Sequence, residues 1–288
     1  MRSFQGRVAV ITGAGSGIGR ALGVHLAKRG ARLALSDINA DDVAETALLC
    51  EKEGADAIPY RLDVADREAV HEHAEEVVRD FGRANLVVNN AGVALGSDVV
   101  DTSWEDHDWL MGVNLGGVIN GTKAFLPKLI DAGEGHIVNI SSVFGLIGVP
   151  SQAAYNAAKF GVRGYTEALR QELRIARSPV SATCVHPGGI RTNIVRNARG
   201  VARGSITPDI AAKGFERITM TTPERAAQVI VRGVERDRAR VLIGPDARVF
   251  DLIPRLIGPR YQDIVGLFGP LAYRLAETPL ATRLAERL

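Results

Sequence analysis

The sequence has two cysteines and no long apolar run. Cys50 and Cys184 stand alone in apolar surroundings, so we expect no disulfide framework and a reducing compartment as the setting. No apolar run approaches the roughly 18 residues of a membrane-spanning helix, and residues 1–7 lack an apolar core of signal-peptide length. We therefore expect a soluble, cytoplasmic protein.

The chain also lacks an excess of charge of one sign, with 35 lysines and arginines against 33 aspartates and glutamates. This balance disfavours a nucleic-acid surface or a polybasic membrane tether as the main function. The histidines show no metal-ligand grouping, since His71 and His73 are two residues apart in a charged helical segment and would point in different directions. We expect no nucleic-acid partner and no metal site.

What the sequence does contain is a regular alternation of strand-like and helix-like segments. This implies right-handed crossovers and a parallel sheet covered by helices on both faces. We expect one doubly wound α/β domain over residues 1–244, followed by an apolar C-terminal extension over 245–288. The strand candidates are residues 7–11, 32–36, 57–61, 86–89, 136–141, 180–185 and 240–243, and the helix candidates are 17–29, 40–53, 66–81, 104–130, 153–176 and 223–235.

A glycine-rich turn lies between the first strand and the first helix. Its pattern from Thr12 to Gly19 is T-G-x-x-x-G-x-G, which differs from the common G-x-G-x-x-G register. Glycines let the backbone turn tightly and approach a pyrophosphate, whose charge is favoured at a helix N-terminus. The position after the first strand favours a nucleotide-binding loop over a purely structural turn.

Asp37 closes the second strand, 18 residues after Gly19. A carboxylate there can accept hydrogen bonds from ribose hydroxyls and would repel a 2′-phosphate. The glycine loop contains Ser16 rather than a basic residue, and Ile38 rather than arginine follows Asp37. These features favour NAD over NADP, while the alternative interpretation of Asp37 is a strand-end cap.

Tyr155 and Lys159 stand four residues apart in a stretch of small, helix-favouring residues. On a helix these positions share one face, so a phenol and an ammonium would lie side by side. A free tyrosine titrates near pH ~10, and an adjacent positive charge would lower its pKa toward the range of a proton-transfer catalyst. The pair predicts a tuned acid/base, with a solvated helix face as the alternative.

Taken together, these residues resemble the short-chain dehydrogenase/reductase family over roughly residues 5–244. The resemblance implies a seven-stranded Rossmann-type sheet and hydride transfer between a nicotinamide cofactor and a carbonyl or alcohol carbon. The motifs that carry it are Thr12-Gly13-x-x-x-Gly17-x-Gly19, Asn89-Asn90-Ala91-Gly92, Asn114, Ser142, Tyr155-x-x-x-Lys159 and Pro187-Gly188.

The resemblance also implies a role for each catalytic candidate. Tyr155 exchanges the proton with the substrate oxygen, and Lys159 lowers the phenol pKa and binds the nicotinamide ribose. Ser142 hydrogen-bonds the substrate oxygen, and the spacing of 13 residues to Tyr155 selects it over Ser141, which would face the other way. Asn114 holds a water in a proton relay to Lys159, or else is a polar residue that kinks a long helix.

The cofactor contacts follow from the same resemblance. Asp63 and Val64 would lie against the adenine ring, Asn90 to Gly92 near the adenosine ribose, and the turn at 187–192 at the nicotinamide carboxamide. The full set of cofactor candidates is Gly13, Ser16, Gly17, Ile18, Gly19, Asp37, Asp63, Val64, Asn90, Ala91, Gly92, Tyr155, Lys159, Pro187, Gly188, Ile190 and Thr192.

The segments expected at the substrate side, residues 93–96 and 143–150, are apolar and predict a hydrophobic secondary alcohol or ketone as substrate. A 3-oxoacyl-thioester reductase using NADPH is an alternative that Asp37 disfavours. A second alternative is an NAD(H)-sensing regulator without catalysis, which the presence of every catalytic candidate disfavours. Basic residues between 193 and 220 could meet a coenzyme phosphate, but a solvated lid is the favoured interpretation.

The extension over 245–288 carries apolar residues at helical spacing from Val249 to Ile257, with prolines that divide it. We expect it to pack over the substrate cleft or against a neighbouring subunit. Interfacial contact with a membrane is a less favoured alternative. The family resemblance implies a homodimer or homotetramer.

Overall fold

The computed structural model describes residues 1, 3–192, 194, 197–200, 219 and 221–267. Its strands are β1 (Val8–Thr12), β2 (Arg32–Asp37), β3 (Ala57–Arg61), β4 (Leu86–Asn89), β5 (Gly135–Ile140), β6 (Val180–Pro187) and β7 (Arg240–Ile243). They form one seven-stranded sheet in the order β3-β2-β1-β4-β5-β6-β7, and every pairing is parallel. This confirms the expected doubly wound sheet.

Helices cover both faces of this sheet. In the described part of the chain they are α1 (Gly17–Ala27), α2 (Ala40–Lys52), α3 (Arg67–Phe81), α4 (Trp104–Met111), α5 (Gly117–Asp131), α6 (Ala153–Ile175), α7 (Pro223–Glu235) and α8 (Pro245–Ile257). Along β1, Ala9 and Ile11 join one apolar core with α1, α2 and α7, whereas Val8 and Val10 join a second core with α3, α5 and α6. Alternate side chains of a strand point to opposite faces, so this strand must be apolar throughout.

The site is positioned by a reversal at the centre of the sheet. β1 and β4 lie side by side there, and the strands on either side are added in opposite directions. In such sheets a crevice opens beyond the carboxyl ends of the strands at the point of reversal. The segments that leave β1, β2, β4, β5 and β6 therefore surround one crevice, and these segments contain most of the candidate site residues.

The long helix expected over residues 104–130 is divided in the structure. A π-helical turn at Gly112–Gly116 separates α4 from α5, and Asn114 lies fully buried at its centre. A π turn adds one residue to the helix without breaking it, and such turns occur frequently at functional sites. The sequence predicted one continuous helix here and did not reveal the π turn.

The chain passes from β7 directly into α8, which is only partly covered. Ala247 in its first turn is fully buried, whereas Val249 and Leu256 are 56% and 72% exposed. Beyond α8, the Tyr261 hydroxyl accepts a hydrogen bond from the Gly148 N–H at 3.0 Å, so this segment reaches the 143–150 loop. No helix in the described ranges is long and apolar enough to span a bilayer.

Candidate active site

The glycine loop, residues 12–19, is fixed by the segment that follows β4. The Asn90 side-chain amide donates to the carbonyl oxygens of Thr12 and Gly13, both at 3.0 Å. The Thr12 hydroxyl oxygen accepts hydrogen bonds from the N–H groups of Asn90 at 3.0 Å and Ala91 at 3.1 Å. The Thr12 hydroxyl thus ties the glycine loop to the segment after β4. In the sequence, Thr12 is only the first residue of the T-G-x-x-x-G-x-G pattern.

Asp37 lies at the end of β2 and faces this loop. One carboxylate oxygen accepts a hydrogen bond from the Gly15 N–H at 2.9 Å, and the other accepts from the Asn39 N–H at 3.1 Å. Asp37 therefore does perform the capping role that was the alternative interpretation. A carboxylate has about four acceptor sites, so these two contacts leave it able to bind ribose hydroxyls as well.

The start of α1 has the features of a pyrophosphate site. Gly17 has a φ of +52°, and a Cβ atom at this position would lie 3.0 Å from the Thr192 methyl carbon. The Ser16 side chain makes no capping hydrogen bond to α1, so the first N–H groups of the helix are left to an anion. Ile18 is half-buried and anchors the loop on the core below. These residues fit the diphosphate of a dinucleotide.

Replacing Gly19 by alanine is expected to disrupt this loop. A Cβ atom at Gly19 would overlap the Gly13 carbonyl oxygen and lie 2.7 Å from Asn90 Nδ2. We expect the affinity for NADH, measured by fluorescence titration, to fall at least about tenfold, and the free energy of unfolding to fall by about 1–3 kcal/mol. Gly164→Ala on α6 is the matched control, because its Cβ would meet open space. Unchanged affinity in Gly19→Ala would contradict the assignment of the loop.

Asp63 and Val64 leave β3 on the side of the sheet that carries Asp37. The Val64 carbonyl oxygen accepts a hydrogen bond from the Asn120 amide at 3.0 Å. A Cβ atom at Gly117 would lie 2.6 Å from the Val64 side chain, so Val64 packs directly on α5. The contact of Asp63 and Val64 with an adenine ring stays a prediction.

Ser142, Tyr155 and Lys159 come together at the carboxyl end of β5. Lys159 is buried, and its ammonium donates to the Ile140 carbonyl oxygen at 3.1 Å and lies 5.6 Å from the centre of the Tyr155 ring. Ser142 forms a side-chain hydrogen bond with Tyr155. Ser141 points the other way and donates to the Lys159 carbonyl oxygen at 2.8 Å. As strand alternation predicted, only Ser142 faces the phenol.

The pKa of Tyr155 differs from the lowered value that the sequence led us to expect. Burial raises the pKa of Tyr155 to about 12, and the hydrogen bond with Ser142 lowers it in part. Burial also lowers the pKa of Lys159 to about 8. A cation stabilises a phenolate by lying close to its oxygen, but the Lys159 ammonium lies toward the ring face. Of these two neighbours, Ser142 is therefore the one that favours the phenolate.

Asn114 connects the π turn to the segment after β4. Its Oδ1 accepts from the Val93 N–H at 2.8 Å, and its Nδ2 donates to the Val93 carbonyl oxygen at 2.9 Å. A Cβ atom at Gly92 would lie 3.2 Å from Asn114 Oδ1 and 3.6 Å from Lys159 Nζ. Gly92, Asn114 and Lys159 thus converge, and a side chain at position 92 would pack tightly against the Asn114 amide.

Two buried side chains that the sequence did not single out hold the 143–150 loop and Ser142. Asn156 donates to two carbonyl oxygens of this loop at 2.7 and 2.9 Å and accepts from one of its N–H groups at 3.0 Å. His186 Nδ1 donates to the Ser142 carbonyl oxygen at 2.9 Å. Burial lowers the pKa of His186 to about 4, so the ring stays neutral near pH 7. A lone asparagine or histidine carries no motif signal that could have revealed these contacts.

The turn at 187–192 closes the other side of the crevice. The Gly188 N–H donates to a β7 carbonyl oxygen at 2.9 Å, and Ile190 forms a bridge with Thr221. Thr192 reaches the glycine loop at Gly17. The turn therefore links the end of β7 to the start of α1, and its contact with a nicotinamide stays a prediction.

A reversed parallel sheet, a glycine loop after β1 and a serine-tyrosine-lysine group after β5 define a class of nucleotide-dependent oxidoreductase. A family model described as short chain dehydrogenase matches residues 7–201. The chain belongs to the short-chain dehydrogenase/reductase family and is an oxidoreductase.

Three known proteins show how far this similarity extends. "Putative oxidoreductase SadH" from Mycobacterium tuberculosis is 53% identical over 265 residues, covering 92% of this chain and 96% of that protein. The 3-oxoacyl-[acyl-carrier-protein] reductase FabG of Thermotoga maritima is 38% identical over 230 residues, covering 79% of this chain and 90% of FabG. A Burkholderia phymatum short-chain dehydrogenase/reductase, crystallised with NAD, superposes with a TM-score of 0.82 at 32% identity, covering 92% of this chain and 96% of that chain.

Proposed function

We propose that the protein transfers a hydride between NAD(H) and a hydrophobic secondary alcohol or ketone. The observation that carries this proposal is the meeting of Ser142 and Tyr155 at the same crevice as the glycine loop. The bound nicotinamide supplies or accepts the hydride. The chain binds and orients the reactants and moves the proton.

Each side chain has a distinct role in this reaction. During ketone reduction, Tyr155 gives its proton to the substrate oxygen as the carbon receives the hydride, and the reverse occurs during oxidation. Ser142 donates a hydrogen bond to the same oxygen, where negative charge develops. Lys159 binds the nicotinamide ribose, and Asn114 holds a water on the proton route to Lys159. The convergence of these groups around Gly92 supports the last two roles.

The walls beside Tyr155 support a hydrophobic substrate. The segments 93–96 and 143–150 contain no ionisable side chain. The Phe144 ring meets the Tyr155 ring edge-on at 6.1 Å, and Leu95 and Leu110 belong to the small apolar cluster that contacts Tyr155. A charged substrate would lose hydration here without compensation, whereas an apolar one gains free energy by burial.

Replacing Asp37 by asparagine tests the proposed preference for NAD. The amide oxygen can still accept the hydrogen bond from the Gly15 N–H, but the negative charge that would repel a 2′-phosphate is removed. Like charges held together cost several kcal/mol, so we expect the NADP-to-NAD ratio of kcat/KM to rise by about tenfold or more. Asp42→Asn, on the neighbouring helix, is the control. An unchanged ratio in Asp37→Asn would show that this carboxylate does not select the cofactor.

A substrate screen with both cofactors, followed by nicotinamide absorbance, tests the reaction itself. The panel contains aryl, steroid-like, terpenoid and fatty ketones beside small polar polyols and their ketones. We expect turnover of the apolar compounds with NADH and its loss in Tyr155→Phe. Turnover confined to the polar set would contradict the proposed substrate class.

A 3-oxoacyl-thioester reductase using NADPH is the second candidate, favoured by the similarity to FabG. Asp37 weighs against it, and Arg199 is already engaged by Asp106 at 3.0 Å and by the Trp109 ring at 3.9 Å. The other basic residues in 193–220, which are Arg196, Arg203, Lys213 and Arg217, lie outside the described residues. A 3-oxoacyl thioester reduced faster with NADPH than any ketone with NADH would favour this candidate.

Tight NADH binding without turnover of any compound would favour the other alternative, an NAD(H)-sensing regulator without catalysis.

We also propose self-association as a homodimer or homotetramer in a reducing compartment. The family resemblance supports the first statement, and the two buried, unpaired cysteines support the second. Analytical ultracentrifugation measures the subunit number directly.

A further inference from the structure

The first turn of α8 places a carboxylate directly against the turn that follows β6. Asp246 Oδ2 accepts a hydrogen bond from the Gly189 N–H at 2.6 Å. A Cβ atom at either Gly188 or Gly244 would overlap the same carboxylate. The Asp246 carboxylate therefore lies between Gly188 and Gly244. Its hydrogen bond with the Gly189 N–H fixes the backbone of the 188–189 turn.

This turn lies at the end of the crevice opposite Asp37. β6 is four positions from β2 in the sheet, and at about 4.8 Å per strand this separates their ends by about 19 Å. The strand before the turn carries His186, which contacts Ser142, and the turn itself reaches Gly17 through Thr192. We expect a dinucleotide bound with its adenosine at Asp37 to place its nicotinamide at this turn.

We propose that Asp246 is a positioning residue for the nicotinamide half of NAD(H). It acts through the 188–189 turn, whose backbone it holds in the shape that receives the nicotinamide. This inference rests on the proposed function in taking NAD(H) as the ligand of the crevice. It also makes α8 part of the active site, although the sequence placed the end of the catalytic domain at residue 244.

An acidic residue in the first turn of a helix also stabilises the helix dipole, and the variants must separate this effect from positioning. Asp246→Asn keeps an oxygen acceptor for the Gly189 N–H and loses the charge. Asp246→Glu keeps the charge near the helix start, but its longer side chain does not fit between Gly188 and Gly244. Asp246→Ala removes both properties.

The test compares NADH with ADP-ribose, which lacks the nicotinamide, by titration calorimetry. We expect Asp246→Ala and Asp246→Glu to weaken NADH binding by about tenfold or more, while ADP-ribose binding stays within about twofold. We expect Asp246→Asn to bind NADH within about threefold of the wild type. Asp263→Ala, at an exposed position beyond α8, is the matched control and should bind both ligands normally.

Equal weakening of NADH and ADP-ribose in Asp246→Ala would overturn the proposal, and so would unchanged NADH binding. If Asp246→Ala fails to fold, the asparagine and glutamate variants test the proposal instead. The proposal requires Asp246→Glu to bind NADH more weakly than Asp246→Asn, so equal NADH affinities of these two variants would overturn it. Failure of the NAD(H) assignment on which the proposal rests is distinguishable, since in that case the wild-type protein itself would not bind NADH. Failure of the substrate assignment alone would abolish turnover and leave these binding comparisons unchanged.

Discussion

Replacing Tyr155 by phenylalanine is expected to reduce kcat by about 10²–10⁴-fold, the usual contribution of a positioned acid/base, while NADH binding changes by less than about threefold. The substitution removes the only proton that the ring can give to a substrate oxygen. It leaves the ring itself, with its edge-on contact to Phe144, so the walls of the crevice are preserved. The measurement is single-turnover ketone reduction together with fluorescence titration of NADH.

The control for this experiment is Tyr165→Phe, ten residues further along α6. It removes the same hydroxyl from the same helix, away from Ser142 and Lys159. We expect it to keep wild-type turnover. If Tyr155→Phe retained more than about a tenth of the wild-type kcat, far above the expected loss, Tyr155 would not be the proton donor.

Replacing Lys159 by methionine is expected to reduce kcat by a similar factor, about 10²–10⁴, and in addition to weaken NADH binding. The methionine fills most of the same buried volume but leaves the Ile140 carbonyl oxygen without its donor. It also removes the charge that we expect to favour the phenolate once the cofactor is bound. Because burial lowers the pKa of Lys159 to about 8, the comparison is made at pH 7, where the wild-type side chain is charged.

Lys123→Met, on the exposed side of α5, provides the matched control and should leave both kcat and NADH affinity unchanged. Weaker NADH binding separates the Lys159 variant from Tyr155→Phe, since the proposed function assigns the nicotinamide ribose to the Lys159 ammonium and the proton transfer to the Tyr155 hydroxyl. Wild-type NADH affinity in Lys159→Met would contradict the proposed contact between Lys159 and the ribose. Wild-type turnover in this variant would contradict the catalytic role of Lys159.

Much of the fold could be predicted because its determinants are local. Each predicted strand lies within one or two residues of an observed one, since glycines at helix ends and short apolar runs mark the boundaries. Gly30, Gly54 and Gly82 all have positive φ values, a conformation that glycine adopts readily, so each marks the end of a helix in the sequence. The expectation that Ser141 and Ser142 face opposite ways agrees with their different partners, the Lys159 carbonyl oxygen and Tyr155, because strand alternation is a short-range property.

What the sequence could not supply were contacts between distant segments. Asp246 supports Gly189 from 57 residues away, and His186 meets the Ser142 carbonyl from 44 residues away. The pKa of Tyr155 was expected to fall because the spacing to Lys159 was considered without burial. Burial proved to be the larger effect and raises that pKa.

The sequence by itself determined the order of strands and helices, the glycine loop and the family, because these depend on residue type and spacing along the chain. The tertiary structure decided where the Lys159 ammonium lies relative to the Tyr155 ring, that Asn114 lies in a π turn, and that Asp246 of α8 contacts the turn after β6. These properties depend on desolvation and on packing between segments that only the folded chain brings together.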